Sequence, residues 1–212
     1  MESYLVPFET AESEFVEKRS RFIGKVWRVE AEEEGRARIV ETKKKHYDGR
    51  HNCWCYLLRD RKVLRYSDDG EPQGTAGQPM LNVFQREGVY NACCVVTRYF
   101  GGVLLGAGGL TRAYAKGAKD ALNAAGVCRM SLWTQWEIPC SYPLFEQVKI
   151  EMEGASGHLM DAEYGAEILI HGAFPDGMAG RFQDRLTELS AGQLTMRPLG
   201  QVFQPGPREE AK

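Results

Sequence analysis

The sequence predicts an α+β protein built from two domains. Runs rich in β-branched and aromatic residues, typical of strands, alternate with segments whose apolar residues recur at helical spacing. The chain has 212 residues, of which 43% are hydrophobic and 26% charged, and this suits one large or two small globular domains. The pattern changes near residue 131. We therefore expect a first domain at 1–131, a second domain at 132–204 and a disordered tail at 205–212.

Charge and cysteine content narrow the class of protein. Residues 1–130 carry 21 Lys and Arg against 17 Asp and Glu, a net charge of +4, whereas residues 131–212 carry 6 against 12, a net charge of −6. The basic first half predicts an anionic partner. The six cysteines follow no zinc-site or disulfide-framework spacing, and no signal peptide is recognisable. No apolar run approaches the roughly 18 residues of a membrane span. We expect a cytoplasmic protein that binds no membrane, metal or other cofactor.

The first elements are a strand region and a helix. Residues 15–29 are typical of a strand or hairpin and contain a basic cluster at Lys18, Arg19 and Arg21. Residues 31–46 predict a helix, because three glutamates lie in its first turn and three lysines in its last turn, which matches the helix dipole.

A strand pair follows and begins at a histidine. Residues 51–58 predict a strand that is covered on both faces, and residues 63–66 predict its hairpin partner. His51 at the start of this strand is a candidate base, and a purely structural role is the alternative.

The next segment is an acidic loop. Three carboxylates fall within four residues, a density that suits a hard cation such as Mg²⁺ or an acid–base pair. The alternative is a role in turns and caps, because Asp-Gly and Glu-Pro are common turn dipeptides. Thr75 to Gln78 matches a capping box for a helix that ends near Gln85. The candidate residues of this loop are Asp68, Asp69, Gly70, Glu71, Gly74, Thr75 and Gly77.

A strand, a glycine-rich loop and a helix form the most unusual stretch of the chain. Residues 89–100 predict a buried strand, five glycines follow within nine positions, and apolar residues then share one helix face over 110–125. Glycines before a helix allow the backbone N–H groups to approach a bound anion closely. The alternative interpretation is that these glycines allow the helix to pack tightly against the strand. No P-loop or complete dinucleotide fingerprint is present. The candidate residues for binding nucleic acid or another anion are Arg19, Arg21, Arg98, Tyr99, Gly101, Gly102, Gly108, Gly109, Arg112, Lys116 and Lys119.

The second half has its own order of elements. It predicts a linker at 128–133 and then, in order, a strand at 134–141, a helix at 143–153, strands at 158–164 and 166–174, a helix at 178–190 and a strand at 193–203. This βαββαβ order is typical of a ferredoxin-like domain. No catalytic constellation is recognisable in it.

The chain resembles the IMPACT family, in particular its bacterial members. The motifs that carry the resemblance are Arg19-Ser20-Arg21-Phe22-Ile23, Asp68-Asp69-Gly70-Glu71-Pro72, Gly74-Thr75-Ala76-Gly77, Pro79-Met80-Leu81, Arg98-Tyr99-Phe100-Gly101-Gly102, Leu105-Gly106 and Gly108-Gly109-Leu110. The likeness covers essentially the whole chain. It implies a first domain with the ribosomal-protein-like α/β sandwich of the fourth domain of elongation factor G, and a second domain like that factor's fifth.

The resemblance also bears on partners. Eukaryotic members inhibit the starvation-responsive kinase of translation initiation with the help of an additional amino-terminal domain, for which this chain has no room, so that partner is not expected here. The resemblance assigns no catalytic residue.

We expect a binding protein rather than an enzyme. The leading hypothesis is binding of RNA or the ribosome in translation, with Tyr99 stacking on a base and Arg98 pairing with phosphate. One alternative is an adaptor for a protein of the translation machinery, docking through the acidic second domain. The other is a small metal-assisted hydrolase that uses the 68–71 loop. A shared cleft between the acidic loop and the glycine-rich loop is the decisive geometric expectation.

Overall fold

The strands and helices alternate along the chain largely as expected. Within residues 2–60 and 62–209, which the computed structural model describes, the elements are, in chain order, β1 (Tyr4–Pro7), β2 (Ala11–Glu17), β3 (Ser20–Arg28), α1 (Glu32–Lys45), β4 (His51–Leu58), β5 (Val63–Ser67), α2 (Gly77–Glu87), β6 (Ala92–Tyr99), α3 (Ala107–Ala125), β7 (Val127–Cys140), α4 (Phe145–Gly154), β8 (His158–Tyr164), β9 (Ile168–Pro175), α5 (Ala179–Ser190) and β10 (Arg197–Arg208). A short 3₁₀ turn, Tyr142–Leu144, precedes α4. None of the helices in this described part is both long and apolar enough to cross a membrane.

The described chain divides into two compact units. The first comprises Tyr4–Arg129 with residues 207–209, and the second comprises Met130–Gly206 with residues 2–3. The boundary between them falls inside β7, and β10 also contributes residues to both units.

The first unit is an antiparallel sheet with helices on both faces. Its strand order is β2-β3-β6-β4-β5. The helices α2 and α3 cover one face, where Phe22, Phe84 and Tyr114 belong to the main core, and α1 covers the other face around Ile39 and Trp27. Because both faces are covered, the central strand β6 is buried from Ala92 to Arg98. This confirms the predicted α/β sandwich.

Two glycines allow α3 to lie directly on this sheet. A Cβ atom on Gly24 would lie 2.4 Å from the carbonyl oxygen of Gly117, and a Cβ atom on Gly117 would lie 3.1 Å from Val96 Cγ1. Neither position has space for a larger side chain unless the helix moves away from the strand. Close helix-on-strand packing therefore depends on glycines outside the 101–109 loop.

The second unit has the ferredoxin-like arrangement that its element order predicted. β8 forms the edge next to β9, and β9 pairs with β7. The strand order of this five-stranded sheet is β1-β7-β9-β8, and β10 also pairs with β7. The helices α4 and α5 pack on one face of this sheet, where Val148 and Phe182 meet Ile138 and Ile170. Burial of these apolar side chains holds the two layers together.

The expected linker at 128–133 is instead the first half of β7, which continues without interruption from Val127. The sequence from Val127 to Ile138 contains no glycine or proline, so nothing in it breaks the strand. Cys128 and Met130 are buried, which ties this half of the strand into the fold. The linker prediction is wrong because the change in composition near residue 131 does not coincide with a break in the strand.

The expected tail at 205–212 is ordered over its first part. β10 extends to Arg208, and the backbone N–H of Glu209 donates to the carbonyl of Val127 at 2.8 Å. Glu209 also pairs with Arg129 at 2.8 Å. The two prolines in this stretch are accommodated because β10 is an edge strand. Residues 210–212 of the expected tail lie outside the described residues.

Candidate nucleic-acid interface

The acidic loop is held together by the carboxylate of Asp68. Its Oδ1 accepts hydrogen bonds from the backbone N–H groups of Ala76 and Gly77, at 3.0 and 2.8 Å, and its Oδ2 accepts one from Gly74 at 2.8 Å. These N–H groups include the unpaired donors at the start of α2. Asp68 therefore caps α2 from a preceding turn.

The predicted capping box is not formed. The hydroxyl of Thr75 donates instead to the carbonyl of Pro72 at 2.7 Å, because Asp68 already supplies the acceptor at the helix start. Gly77 is required at this point, since a Cβ atom there would lie 2.8 Å from the backbone of Ser67.

Asp69 also serves the local structure. Its Oδ2 accepts the backbone N–H of Asn52 at 2.7 Å, and its Oδ1 pairs with Lys43. Its carbonyl contacts Nδ1 of His51 at 2.8 Å, and Gly70, with φ +87°, packs beneath the same ring. In the part of the chain that the structure describes, no group of three or more His, Cys, Asp or Glu side chains is arranged to hold a metal. These contacts favour the turn-and-cap role of the loop.

Glu71 connects the acidic loop to β6 and α3. Its Oε1 accepts hydrogen bonds from Arg98 Nη1 at 2.7 Å and from the Tyr114 hydroxyl at 2.8 Å, while His51 Nε2 lies 3.9 Å from its Oε2. Arg98 also donates through Nη2 to Ser20 Oγ at 3.3 Å. The acidic loop is therefore joined to β6 and α3 by a buried ionic contact, and this contact is not the cleft shared with the 101–109 loop that the sequence predicted.

Burial governs the chemistry of the groups around Glu71. Arg98 is only 4% exposed, and its Nε has no hydrogen-bond partner among the described residues. Burial, with Cys53 and Glu71 nearby, raises the pKa of Tyr114 far above its ordinary value. The pKa of the Cys53 thiol is raised in the same way, again mainly by burial. Arg98, which the sequence assigned to phosphate, is therefore an internal partner of Glu71.

Tyr99 is half-buried at the end of β6. Its hydroxyl donates to Asp48 Oδ1 at 3.1 Å and contacts His46 Nδ1 at 2.9 Å, while the Arg21 guanidinium lies 5.7 Å from the ring centre. Burial, followed by Asp48, raises the pKa of Tyr99, and burial, followed by Lys45, lowers the pKa of His46. Arg21 itself forms a bidentate salt bridge with Glu14, in which Nε and Nη2 donate to Oε1 and Oε2, each at 2.7 Å. The polar groups of Tyr99 and Arg21 therefore already interact with neighbouring side chains of the protein.

The glycines between β6 and α3 shape a short loop. A Cβ atom on Gly101 would lie 2.0 Å from the backbone of Arg19, so this loop and the β2–β3 turn are in direct contact. Gly102 and Gly106 have φ of +83° and +74°, which other residues adopt only with strain. Gly108 and Gly109 lie in the first turn of α3, whose N-terminal N–H groups receive no side-chain cap from the described residues.

Several cations lie around this loop. Lys18, Arg19 and Arg112 are exposed, and within the described ranges none of the three forms an ion pair. The Arg50 guanidinium lies 5.3 Å from the ring centre of Phe100, and the Arg50 backbone N–H donates to the Arg98 carbonyl at 3.0 Å. We call the cationic set at this end of the first unit the basic end, and its members are Lys18, Arg19, Arg50, Arg112 and Lys116.

A groove opens at the basic end. It encloses about 250 Å³, and its lining is Phe15, Glu17, Lys18, Leu105, Gly109, Arg112, Ala113 and Lys116. Lys116 lies across it with its ammonium 4.6 Å from the centre of the Phe15 ring and also pairs with Asp120. The groove therefore presents three cations and an aromatic ring, with a single carboxylate among them.

The sequence-predicted residues fall into three groups. Arg19, Arg112 and Lys116 belong to the basic end, together with the glycines 101, 102, 108 and 109 beside it. Arg98 is buried, and Arg21 and Tyr99 are engaged as described. Lys119 is separate, since it pairs with Glu87 at the end of α2 at 2.6 Å.

Sequence reasoning missed Arg50 and Phe100 as site residues. Arg50 reaches the basic end because β4 and β6 pair antiparallel with His51 opposite Arg98, which places the start of one strand beside the end of the other. That pairing cannot be read from spacing alone. Phe100 could have been found, since it is an aromatic residue directly before the glycines.

Comparison with known proteins identifies both halves of the chain. The model of the Impact N-terminal domain matches residues 18–122, a range that contains the whole basic end, and a model described as a domain of unknown function (DUF1949) matches residues 138–193. A solved crystal structure, described as that of a hypothetical protein, has a TM-score of 0.59 and 33% identity, covering 92% of this chain and 97% of its own.

Curated relatives match over nearly their full length. IMPACT family member YvyE of Bacillus subtilis is 35% identical over 198 residues, covering 93% of this chain and 91% of the relative. IMPACT family member YigZ of Escherichia coli is 33% identical, covering 92% and 98%, and a Haemophilus influenzae member is 35% identical, covering 94% and 98%. The chain belongs to the IMPACT family.

Proposed function

We propose that this protein binds RNA through the basic end and acts in translation without catalysing a reaction. The observation that carries the proposal is the convergence of Lys18, Arg19 and Arg112 around one loop, with no acidic partner for any of them among the described residues. Exposed cations that are not already paired are the groups that contact phosphates and release counterions.

The surroundings of these cations suit RNA in particular. The groove runs past Phe15, and the Phe100 ring lies 5.3 Å from the Arg50 guanidinium, so aromatic and guanidinium planes stand beside the charges. Planar groups of this kind stack on the unpaired bases of RNA. The resemblance of the first domain to the fourth domain of elongation factor G supports a link to translation.

The alternative of a metal-assisted hydrolase has less support. Asp68 and Asp69 use their carboxylate oxygens to accept backbone N–H groups and to pair with Lys43, and Glu71 is engaged by Arg98 and Tyr114. Carboxylates engaged in this way hold the fold together and do not present a set of open ligands.

Charge reversal at the basic end tests RNA binding. The variant Arg19→Glu with Arg112→Glu should bind RNA at least about tenfold more weakly, and the slope of log affinity on log salt concentration should fall by roughly 1 for each cation removed. The measurement is fluorescence anisotropy of a labelled RNA titrated over a series of salt concentrations.

The matched control is Lys62→Glu with Arg86→Glu. It makes the same change in net charge at the opposite end of the sheet, in the β4–β5 turn and the last turn of α2, and should bind like the wild type. Equal losses in the two variants, or binding that is insensitive to salt, would refute the proposal.

A protein-binding adaptor is the second candidate function. The observation that favours it is β8, the edge strand of the second unit, where Leu159, Met160 and Tyr164 are exposed on either side of the acidic residues 161 and 163. An exposed strand edge is a surface on which a partner strand can pair. Capture of a translation protein that survives RNase treatment, and that Leu159→Lys with Met160→Lys abolishes, would favour the adaptor.

A further inference from the structure

The glycine-rich loop presents an apolar tip within the basic end. Leu104 is 82% exposed and Val103 is 38% exposed, whereas the next residue, Leu105, packs against the main core. Leu105 also lies against the start of α3, since a Cβ atom on Gly109 would be 3.0 Å from its Cβ. Adjacent leucines thus have opposite surroundings, and the Val103–Leu104 tip projects from an anchored loop.

Both sides of this loop are fixed. Gly101 lies against the backbone of Arg19, and its N–H donates to Ser20 Oγ at 3.3 Å. On the other side, the N–H of Leu110 donates to the carbonyl of Gly106 at 3.0 Å, which begins α3. Because these contacts hold the ends of the loop, presenting the tip to a partner requires little further ordering of the chain.

We propose that the Val103–Leu104 tip inserts between adjacent bases of a single-stranded RNA segment held at the basic end. This inference rests on the RNA binding proposed above. The surrounding cations select an anionic partner, and within such a polymer the apolar surfaces are the faces of the bases. Proteins that bind the minor groove of DNA insert apolar side chains between base steps as wedges, and the same contact with base faces is available on RNA. Single strands suit the tip because their bases unstack readily.

The charges near the tip favour RNA over an anionic membrane. Glu17 lines the groove and Asp48 lies beside Tyr99, so carboxylates are interspersed with the cations at this end. A flat anionic surface would meet all of these groups at once, whereas a strand can follow the cations. Two aliphatic side chains also bury less apolar area than stable membrane anchoring needs.

A base-stacking probe tests the proposal with the full chain. A single-stranded RNA about ten nucleotides long, carrying 2-aminopurine at its centre and a separate anisotropy label, should show a rise in 2-aminopurine fluorescence as the protein unstacks the base. Leu104→Ala should abolish this rise and weaken binding about tenfold, while the salt slope stays unchanged, because the cations remain. Leu104→Met, which keeps a long apolar side chain, should restore the rise.

Ile150→Ala is the matched control, since Ile150 is an aliphatic residue of α4 with 67% exposure, and it should behave as the wild type. RNA binding without a fluorescence rise, or with a rise that Leu104→Ala retains, would overturn the wedge and leave RNA binding intact. Failure to bind RNA even at low salt would overturn both proposals. If the protein bound phosphatidylserine vesicles but not RNA, and Leu104→Ala abolished the vesicle binding, the tip would be a membrane-binding element and both proposals would be overturned.

Discussion

Arginines beside the same glycine-rich loop lie in two contrasting environments. Arg98 lies before the loop and is buried, with Glu71 at 2.7 Å and the rings of Phe22 and Phe100 within 5.6 Å. Arg112 lies after the loop and is exposed in the groove, without an ion pair to any described residue. From the sequence alone the two arginines look equivalent, because both are positively charged and both lie near the same glycines.

The difference shows that the availability of a cation depends on how its charge is balanced. Arg98 is held by a carboxylate and a hydroxyl in the interior, so its desolvation is compensated within the protein. Arg112 has no such partner in the part of the chain that the structure describes, and its charge remains available to an anion from outside. Loss of the Arg98 contact should therefore lower the free energy of unfolding, whereas loss of the Arg112 charge should weaken RNA binding.

Removing the charge of Glu71 should have the largest effect on stability. Glu71→Gln leaves Arg98 buried without a counter-charge, and we expect the free energy of unfolding to fall by about 3–5 kcal/mol. Urea denaturation monitored by circular dichroism measures this. The control Glu14→Gln breaks the pair with Arg21, which is exposed, and should leave the unfolding midpoint nearly unchanged. A similarly small shift for Glu71→Gln would mean that the interior contact does not stabilise the fold.

Conservative substitutions of the two arginines sharpen the contrast. Arg98→Lys keeps the charge but loses the planar group that reaches both Glu71 and Ser20, so it should destabilise the protein by about 2 kcal/mol. Arg112→Lys keeps the charge on an exposed side chain and should leave both the unfolding midpoint and RNA affinity close to those of the wild type. Thermal melts and anisotropy titrations of both variants measure these quantities. Equal changes in the unfolding midpoint for Arg98→Lys and Arg112→Lys would contradict the different roles inferred for the two arginines.

The sequence was sufficient to predict most elements of the fold. Three of the confirmed predictions rest on local patterns. They are the helix α1 with acidic residues in its first turn and lysines in its last turn, the strand β4 covered on both faces, and the βαββαβ order of the second half. The linker prediction at 128–133 and the prediction of disorder over 205–209 do not match the structure, because strand pairing at a distance determines both: β10 pairs with β7, and this pairing cannot be read from either segment alone.

The geometry of the candidate site was predictable only in part, for a related reason. Arg112 was identified as a basic residue on a helix after a glycine loop, and the structure keeps it exposed. The burial of Arg98 depends on Glu71, and the position of Arg50 depends on the pairing of β4 with β6. Contacts between segments far apart in the chain determine which cations are paired, and spacing along the sequence does not show them.

Tyr114 gives the smallest of these predicted effects, and its sign depends on pH. Tyr114→Phe removes the hydrogen bond to Glu71 and should lower the free energy of unfolding by roughly 1–2 kcal/mol at neutral pH. The pKa of Tyr114 is higher in the folded protein than its unfolded value of 10.0. Above that pH the unfolded chain therefore loses the phenol proton while the folded protein keeps it, so wild-type stability declines.

The difference in stability between wild type and Tyr114→Phe should therefore narrow as pH rises above about 10, by up to ~1.4 kcal/mol per pH unit. Urea denaturation at neutral pH and at two alkaline values measures the difference. Tyr47→Phe, at a tyrosine with 86% exposure, is the matched control and should leave the midpoint unchanged at neutral pH. A difference that widens at alkaline pH would contradict the burial of this phenol beside Glu71, because only a phenol that ionises more readily in the folded state would stabilise the wild type there.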